Sequence, residues 1–371
     1  MSLHFAVLSD PHVTLPQTLW DHPSRFHLGE YSIPALEEVL RHLEAIAPEF
    51  LLIPGDLTQH GELENHLWLQ KRLARLPFPA YVIPGNHDVP VPVATAEAIA
   101  PEDFPKYYRQ FGYAQSDHLY YSLEIQPGLH LIGLNSNQFG ADGKVWGWID
   151  QLQLTWLEEQ LTRLQGKLVL VMVHHNVLPH LPGQRDSSIG KRYLLENSAE
   201  LLAILHRHGV QLIFTGHLHI QDITYDRADG HCLYEITTGS LVSYPHPYRL
   251  LRLDQDSLHI KSYRVDAVPG QPHLGEFSRC WMDGRSLPFV QKFLTDPPLQ
   301  LAPETAQALL PQLRTFWSQV AAGDTQLYLP DFPAPARTYL ESFSADLASS
   351  PTGSVDNHTR LQLQPSHWET Y

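Results

Sequence analysis

A series of short β-rich apolar runs, each closed by Gly, Pro or polar punctuation, constrains this chain more than any other feature. Phe5–Leu8, Phe50–Ile53, Tyr81–Ile83, Leu129–Leu134, Leu168–Val173 and Val210–Phe214 are strongly apolar, as strands buried on both faces must be. Between them, Ile33–Ala47 carries Leu36, Val39, Leu40, Leu43 and Ile46, a stripe at the helical period. Leu63–Leu76, Ile149–Leu164 and Ala199–His208 repeat that texture. Strand–helix alternation predicts an α/β sheet covered on its faces, with ligands received at the carboxyl ends of strands.

The texture changes after Leu218. Asp222–Tyr225, Cys232–Thr237, Tyr248–Leu253 and Leu258–Val265 read as strands of an antiparallel meander that completes a second sheet. Val268-Pro-Gly-Gln-Pro272 is a linker signal, which predicts a domain over residues 1–265 and a C-terminal extension over 266–371. Within the extension, Leu287–Leu294 and Ala302–Ala322 read as helices and Thr338–Ala348 as a short one. Leu327–Arg337 is Pro-rich, and Ser349–His358 reads as a polar, mobile connection. No metal-ligand pattern occurs in the extension, so it reads either as a packing element or as the contact surface of a homodimer.

Charge narrows the partners. Only 25 Lys and Arg stand against 40 Asp and Glu, a formal charge of −15, which argues against a duplex nucleic acid because phosphate backbones are gripped by cations. Two cysteines cannot build a disulfide framework. The first apolar run, ending at Ser9-Asp10, is too short for a signal-peptide core, and no stretch reaches membrane-spanning length. A cytoplasmic protein without a membrane partner is expected.

Chemistry-bearing residues follow the strands in order. Ser9-Asp10-Pro11-His12 places a carboxylate and an imidazole two residues apart after the first run. Pro54-Gly55-Asp56 puts a two-oxygen ligand after a glycine that permits close approach. Pro84-Gly85-Asn86-His87-Asp88 supplies a neutral amide oxygen, an imidazole and a carboxylate together. Val173-His174-His175-Asn176 carries adjacent histidines that point to opposite faces if the strand continues, one as ligand and the other as an outer or substrate group. Thr215-Gly216-His217-Leu218-His219 presents imidazoles at i and i+2, which share a face and can serve different ions about 3.5–4 Å apart. Oxygen and imidazole donors of this kind suit Mn, Fe or Zn.

Together Asp10-x-His12, Gly55-Asp56, Gly85-Asn86-His87-Asp88, His174-His175 and Gly216-His217-x-His219 resemble the calcineurin-like metallophosphoesterases over about Leu3 to Val265. The resemblance implies a four-layer α/β/β/α sandwich, here with a mostly helical C-terminal extension, and a site for two divalent or trivalent ions, with Fe and Mn favoured. By motif position, Asp10, His12 and His219 would hold the first ion, Asn86, His174 and His217 the second, and Asp56 would bridge them. His87 would assist the leaving group, with Asp88 behind it. Gly55-Asp56-Leu57-Thr58, the Gly-Asn-His-Asp motif and Asn197–Leu205 look most like the bacterial class III cyclic-nucleotide phosphodiesterases. That branch usually continues with Pro after the histidine pair, whereas Asn176 here is followed by Val-Leu-Pro-His180.

The expected reaction is hydrolysis of a small phosphodiester, such as a cyclic nucleotide, by a metal-bridged hydroxide, with His87 protonating the departing alkoxide. A phosphomonoesterase is the rival of the same fold, and a non-catalytic metal-stabilised scaffold the rival from another class. A scaffold would be expected to lose ligands, and every position is filled. Arg185, Lys191 and Arg192 follow the histidine pair, where cations could meet a phosphate. Asn135 and Asn137 could line the cleft, and Trp146 and Trp148 are expected to anchor a helix start in the core.

Overall fold

The computed structural model describes residues 2–22, 25–228, 230–349 and 352–364. Its strands are β1 (Leu3–Val7), β2 (Phe50–Ile53), β3 (Ala80–Val82), β4 (Tyr121–Gln126), β5 (Leu129–Gly133), β6 (Asn137–Phe139) and β7 (Val145–Gly147). They continue with β8 (Leu168–Met172), β9 (Leu212–Thr215), β10 (Asp222–Ala228), β11 (His231–Thr237), β12 (Pro247–Leu253), β13 (Ser257–Arg264) and β14 (His358–Gln362). The helices are α1 (Ser32–Ile46), α2 (Leu63–Leu73), α3 (Phe104–Tyr107), α4 (Gln151–Arg163), α5 (Ser188–Lys191) and α6 (Ser198–Arg207). The extension contributes α7 (Leu274–Arg285), α8 (Leu287–Thr295), α9 (Pro303–Leu309), α10 (Phe316–Ala321) and α11 (Ala334–Glu341).

Two six-stranded sheets share one apolar core. The first has the order β14-β13-β12-β1-β2-β3, with β1, β2 and β3 parallel and β12, β13 and β14 joined antiparallel. The second has the order β10-β11-β9-β8-β5-β4, parallel from β11 to β5 with antiparallel edges. The apolar runs follow from burial on both faces. On β8, Leu168, Leu170 and Met172 enter the core shared with β1 and β2, while Val169 and Val171 pack with Leu154 and Leu157 of α4 and Leu201 of α6. Phe5 of β1 meets Phe214 of β9 edge to face at 5.8 Å, tying the sheets together. Asp150 caps α4 by accepting from Gln153 N at 2.8 Å. The result is a sandwich of two sheets covered by helices, with parallel strands of both sheets ending at one rim.

The structure departs from expectation in several places. The meander does not stay in one sheet: β10 and β11 complete the second sheet, whereas β12 and β13 cross to the first beside β1. The helix expected over 302–322 is broken into α9, a 3₁₀ turn at Leu310–Leu313 and α10, because Pro311 lacks the N–H that a continuing helix needs. Trp146 and Trp148 lie in and after β7 at 46% and 40% exposure, not in the core. Helix α7 and strand β14 were not foreseen, and β14 returns from the extension to extend the first sheet. Among the described residues no helix is long and apolar enough to cross a membrane.

Residues 352–358 are held firmly. Asp324 Oδ1 accepts from Val355 N at 2.7 Å and Asp356 N at 2.9 Å, and its Oδ2 from Ser354 Oγ at 2.6 Å and Asn357 Nδ2 at 2.8 Å. Burial pushes the Asp324 carboxyl up, but these donors outweigh it and hold it below its ordinary value. Its contribution is therefore present above the ordinary carboxylate range and lost as pH falls through the depressed folded value. Asp324→Ala is expected to cost about 1–3 kcal/mol in urea unfolding at neutral pH and to speed proteolysis within 352–358. Wild-type proteolysis rates in that segment would overturn this.

Candidate metal centre

Every predicted ligand lies just beyond a parallel strand: Asp10 and His12 after β1, Asp56 after β2, Asn86 after β3, His174 after β8, and His217 and His219 after β9. Main-chain pairing outlasts the strands, with Asp10 N donating to Gly55 O at 3.3 Å and His12 N to Asp56 O at 3.0 Å. The turns that follow are tight. Asp10, His12, Asp56, His217 and His219 all have positive φ, between 37° and 67°, a left-handed conformation that non-glycine residues adopt mainly where surrounding structure imposes it. Two glycines make room. A Cβ on Gly85 would strike the Asp56 carboxylate, and one on Gly216 would strike that of Asp10.

These turns bring the predicted ligands together in two overlapping clusters. Donor atoms of Asp10, His12, Asp56 and His219 lie within 4.8 Å of one another, and so do those of Asp56, His174 and His217. Asp56 belongs to both: its Oδ2 is 3.6 Å from His12 Nε2 and its Oδ1 is 3.3 Å from His174 Nε2. Asn86 joins the second cluster through Oδ1, 3.2 Å from His174 Nε2. In the first, His219 Nε2 lies 3.1 Å from Asp10 Oδ1 and 3.5 Å from His12 Nε2.

Outer hydrogen bonds decide which nitrogens face the ions. His174 Nδ1 donates to Pro54 O at 2.9 Å, leaving Nε2 toward Asp56 and Asn86. His217 Nε2 donates to Arg192 O at 3.2 Å, leaving Nδ1 for an ion. The lone pair on His174 Nε2 then faces two acceptor oxygens. Such an arrangement calls for a cation or a proton between them. Burial opposes charge on His174, yet the Asp56 carboxylate outweighs it and raises the imidazole to about 9. Burial also pushes Asp56 up, but His174 and His87 hold it well below its ordinary value. Burial keeps His12 and His217 neutral, well below their ordinary values, with His27 adding to the effect at His12 and His175 at His217. Neutral imidazoles, an anionic bridge and an amide oxygen fit a pair of divalent cations.

The structure redistributes the roles around this cluster. Asp88, expected behind His87, points elsewhere: it accepts from Gly85 N at 2.8 Å, Leu57 N at 3.0 Å, Thr58 N at 2.8 Å and Thr58 Oγ1 at 3.1 Å. It therefore staples the Asp56 turn to the Asn86 turn. His87 Nδ1 donates instead to Gln59 O at 2.6 Å, which directs Nε2 away from that bond. His175 turns from His174 toward Ser136 Oγ at 2.8 Å. His180 is 3.1 Å from Glu235 Oε1 and 2.5 Å from Asp222 Oδ2. Burial opposes charge on His180, but Glu235 and Asp222 raise it to about 10. Glu235 in turn accepts from Leu178 N at 2.6 Å, Asn176 Nδ2 at 3.1 Å and Thr215 Oγ1 at 2.8 Å, bracing both histidine turns from behind.

Sequence reasoning missed His27 and His60. His27 stacks on His12 with centroids 4.0 Å apart and groups with His12 and His219 as a possible ligand set. His60 Nδ1 is 3.2 Å from His87 Nδ1. Neither follows an apolar run, so no strand-end signal marked them. A cavity of about 410 Å³ opens over the cluster and reaches Asp56, Asn86, His87, His217 and His219. Of the three predicted cations only Arg192 lines it, whereas Arg185 bonds Ser198 Oγ at 3.3 Å. Asn135 and Asn137 bond each other at 3.1 Å and form the turn below.

Two outcomes follow from this geometry. Metal loading at pH 7–8 is expected to release about one proton from His174, with affinity weakening as pH falls below about 9, because a ligand must be deprotonated. Calorimetry in buffers of different ionisation enthalpy measures this, and buffer-independent heats would refute it. Asp88→Ala orphans three buried N–H groups and is expected to lower stability by about 2–5 kcal/mol and to weaken metal retention. A normal unfolding midpoint with only a shifted pH–rate profile would instead place Asp88 on His87.

The chain is 32% identical over 143 residues to a probable glycerophosphodiester phosphodiesterase of Arcobacter nitrofigilis, covering 38% of this chain and 47% of that protein, so it spans about half of that relative. It is 28% identical to a 3′,5′-cyclic-nucleotide phosphodiesterase of Nostoc sp., covering 62% of this chain and 82% of that one. Among solved structures, a dimetal phosphatase from Danio rerio aligns over 71% of this chain and 96% of that one, at 15% identity and a TM-score of 0.49. The family model described as calcineurin-like phosphoesterase matches residues 3–221, a span that includes all seven predicted ligands. The chain belongs to the calcineurin-like phosphoesterase family.

Proposed function

We propose that this protein is a dinuclear metal-dependent phosphodiesterase acting on small diesters. The observation that carries the reading is the meeting of both clusters at Asp56 directly under a cavity of about 410 Å³. First-row ions such as Mn or Fe suit the mixed oxygen and imidazole donors. When bound, they supply activated water and neutralise charge on the phosphate oxygens. Asp10, His12, Asp56 and His219 would hold one ion, and Asp56, Asn86, His174 and His217 the other.

The remaining residues bind and move protons. Because His87 Nδ1 is committed to Gln59 O, its Nε2 is the atom from which a proton reaches the leaving oxygen. Arg192 at the cavity edge can pair with a non-bridging oxygen. Arg25, the other lining cation, is already paired with Glu30 at 3.1 Å. One cation beside the two metal ions matches the single charge of a diester. The names of the relatives also favour diesters.

The test is side-by-side turnover of an aryl phosphodiester, an aryl phosphomonoester and a cyclic nucleotide by Mn- or Fe-reconstituted protein. Chelator is expected to abolish activity. Asn86→Ala and His174→Ala are expected to lower it by roughly 100-fold or more, since even outer partners of ligands cost about 10–100-fold. No metal-dependent hydrolysis of any substrate, or wild-type rates in both variants, would sink the assignment. A monoester preference would move it to a phosphatase.

A further inference from the structure

The extension lies wholly beyond residues 3–221, so family membership does not say what it does. It has its own apolar cluster, and Leu218 and Ile220 of the His217–His219 turn belong to that cluster. Alternation along the turn therefore sends the histidines to the metal centre and the residues between and after them into the extension. Gln221 N donates to Ala321 O at 3.0 Å, fixing α10 beside the same turn.

From this position the extension reaches over the site. Met282 of α7, Phe289 of α8 and Trp317 of α10 line the cavity that also exposes Asp56, Asn86 and His87. Phe289 packs edge to face on Trp317 at 4.6 Å, and Phe26 packs on Phe289 at 6.4 Å. Segment 25–28 is fixed to the extension at a second point, with the Arg25 guanidinium 5.2 Å over the Trp281 ring. The cavity thus has two unlike walls: oxygen and nitrogen donors on one, and three aromatic rings with a thioether on the other.

We propose that the C-terminal helices form the recognition wall of this pocket and select diesters in which the ester group that stays on phosphorus, opposite the leaving group, carries a flat aromatic ring. This rests on the phosphodiesterase reading above. With the phosphate at the ligand clusters, one ester group must lie toward the rings. A planar ring gains stacking and apolar burial there. A hydroxyl-rich group such as glycerol would lose its water against Phe26, Phe289 and Met282, whose side chains offer it no hydrogen-bond donor. The cavity volume suits a nucleoside-sized or aryl group. The wall belongs to the same chain as the metal ligands.

Three 4-nitrophenyl phosphodiesters that share a leaving group and differ in the second ester, methyl, phenyl or 5′-nucleoside, test the proposal. For the metal-loaded full chain, kcat/KM is expected to favour the phenyl and nucleoside esters over methyl by about tenfold or more. The phenyl and nucleoside arms distinguish a general aryl preference from a nucleobase one. Phe289→Ala and the volume-conserving Phe289→Leu are expected to collapse the phenyl-to-methyl ratio toward one, with metal content and thermal unfolding checked alongside. Equal kcat/KM for all three esters in the wild type overturns the proposal, as does a ratio that survives in Phe289→Ala and Trp317→Ala. If no ester is turned over, the phosphodiesterase reading fails. The wall is then judged by equilibrium binding of phenylphosphonate against methylphosphonate to the metal-loaded protein, where equal affinities overturn it.

Discussion

The Asp56 carboxylate meets imidazoles from both sheets, His12 through one oxygen and His174 through the other. Groups that offer only lone pairs repel at such distances unless positive charge lies among them. Holding them there takes five ligand positions in left-handed backbone, each worth roughly 1–3 kcal/mol of strain. Two buried devices offset that cost from behind. Asp88 gathers N–H groups from the Asp56 and Asn86 turns, and Glu235, paired with His180, gathers the Leu178 N–H and the Thr215 hydroxyl behind the two histidine turns. The apolar core between the sheets supplies the rigid frame to which both devices are anchored.

Much of this was legible in the chain because strand-end position and donor type are local properties. Phe50–Ile53 appears as a strand with the predicted bounds, and all seven predicted ligands converge. What was not legible depends on long-range pairing. Nothing in Tyr248–Leu253 says that it will sit beside β1 and not beside β11, since both placements satisfy its apolar pattern. Asp88 follows His87 in sequence, yet its hydrogen bonds go to a turn 30 residues earlier. His27 comes from a loop with no periodic signal and reaches His12 only through the packing of its segment.

The extension shows the same limit more strongly. Its helical residues carry no ligand motif, and by composition they read as packing. Packing is what they do, but the surface they pack on is the back of the histidine turn. Asp324 and β14 then close the chain onto the first sheet. The first 265 residues and the extension thus share hydrogen bonds and apolar contacts, and the linker signal at 268–272 is a turn closed between Val268 and Gln271.

The placement of Leu218 and Ile220 also sets an order of assembly. A nascent chain that has reached Val265 already holds every ligand. Its histidine turn nonetheless has no apolar cover, and β13 still presents an open edge where β14 will pair. Cover for that turn and a partner for the β13 edge both come from residues after Val265, so the donors precede their backing in the order of synthesis.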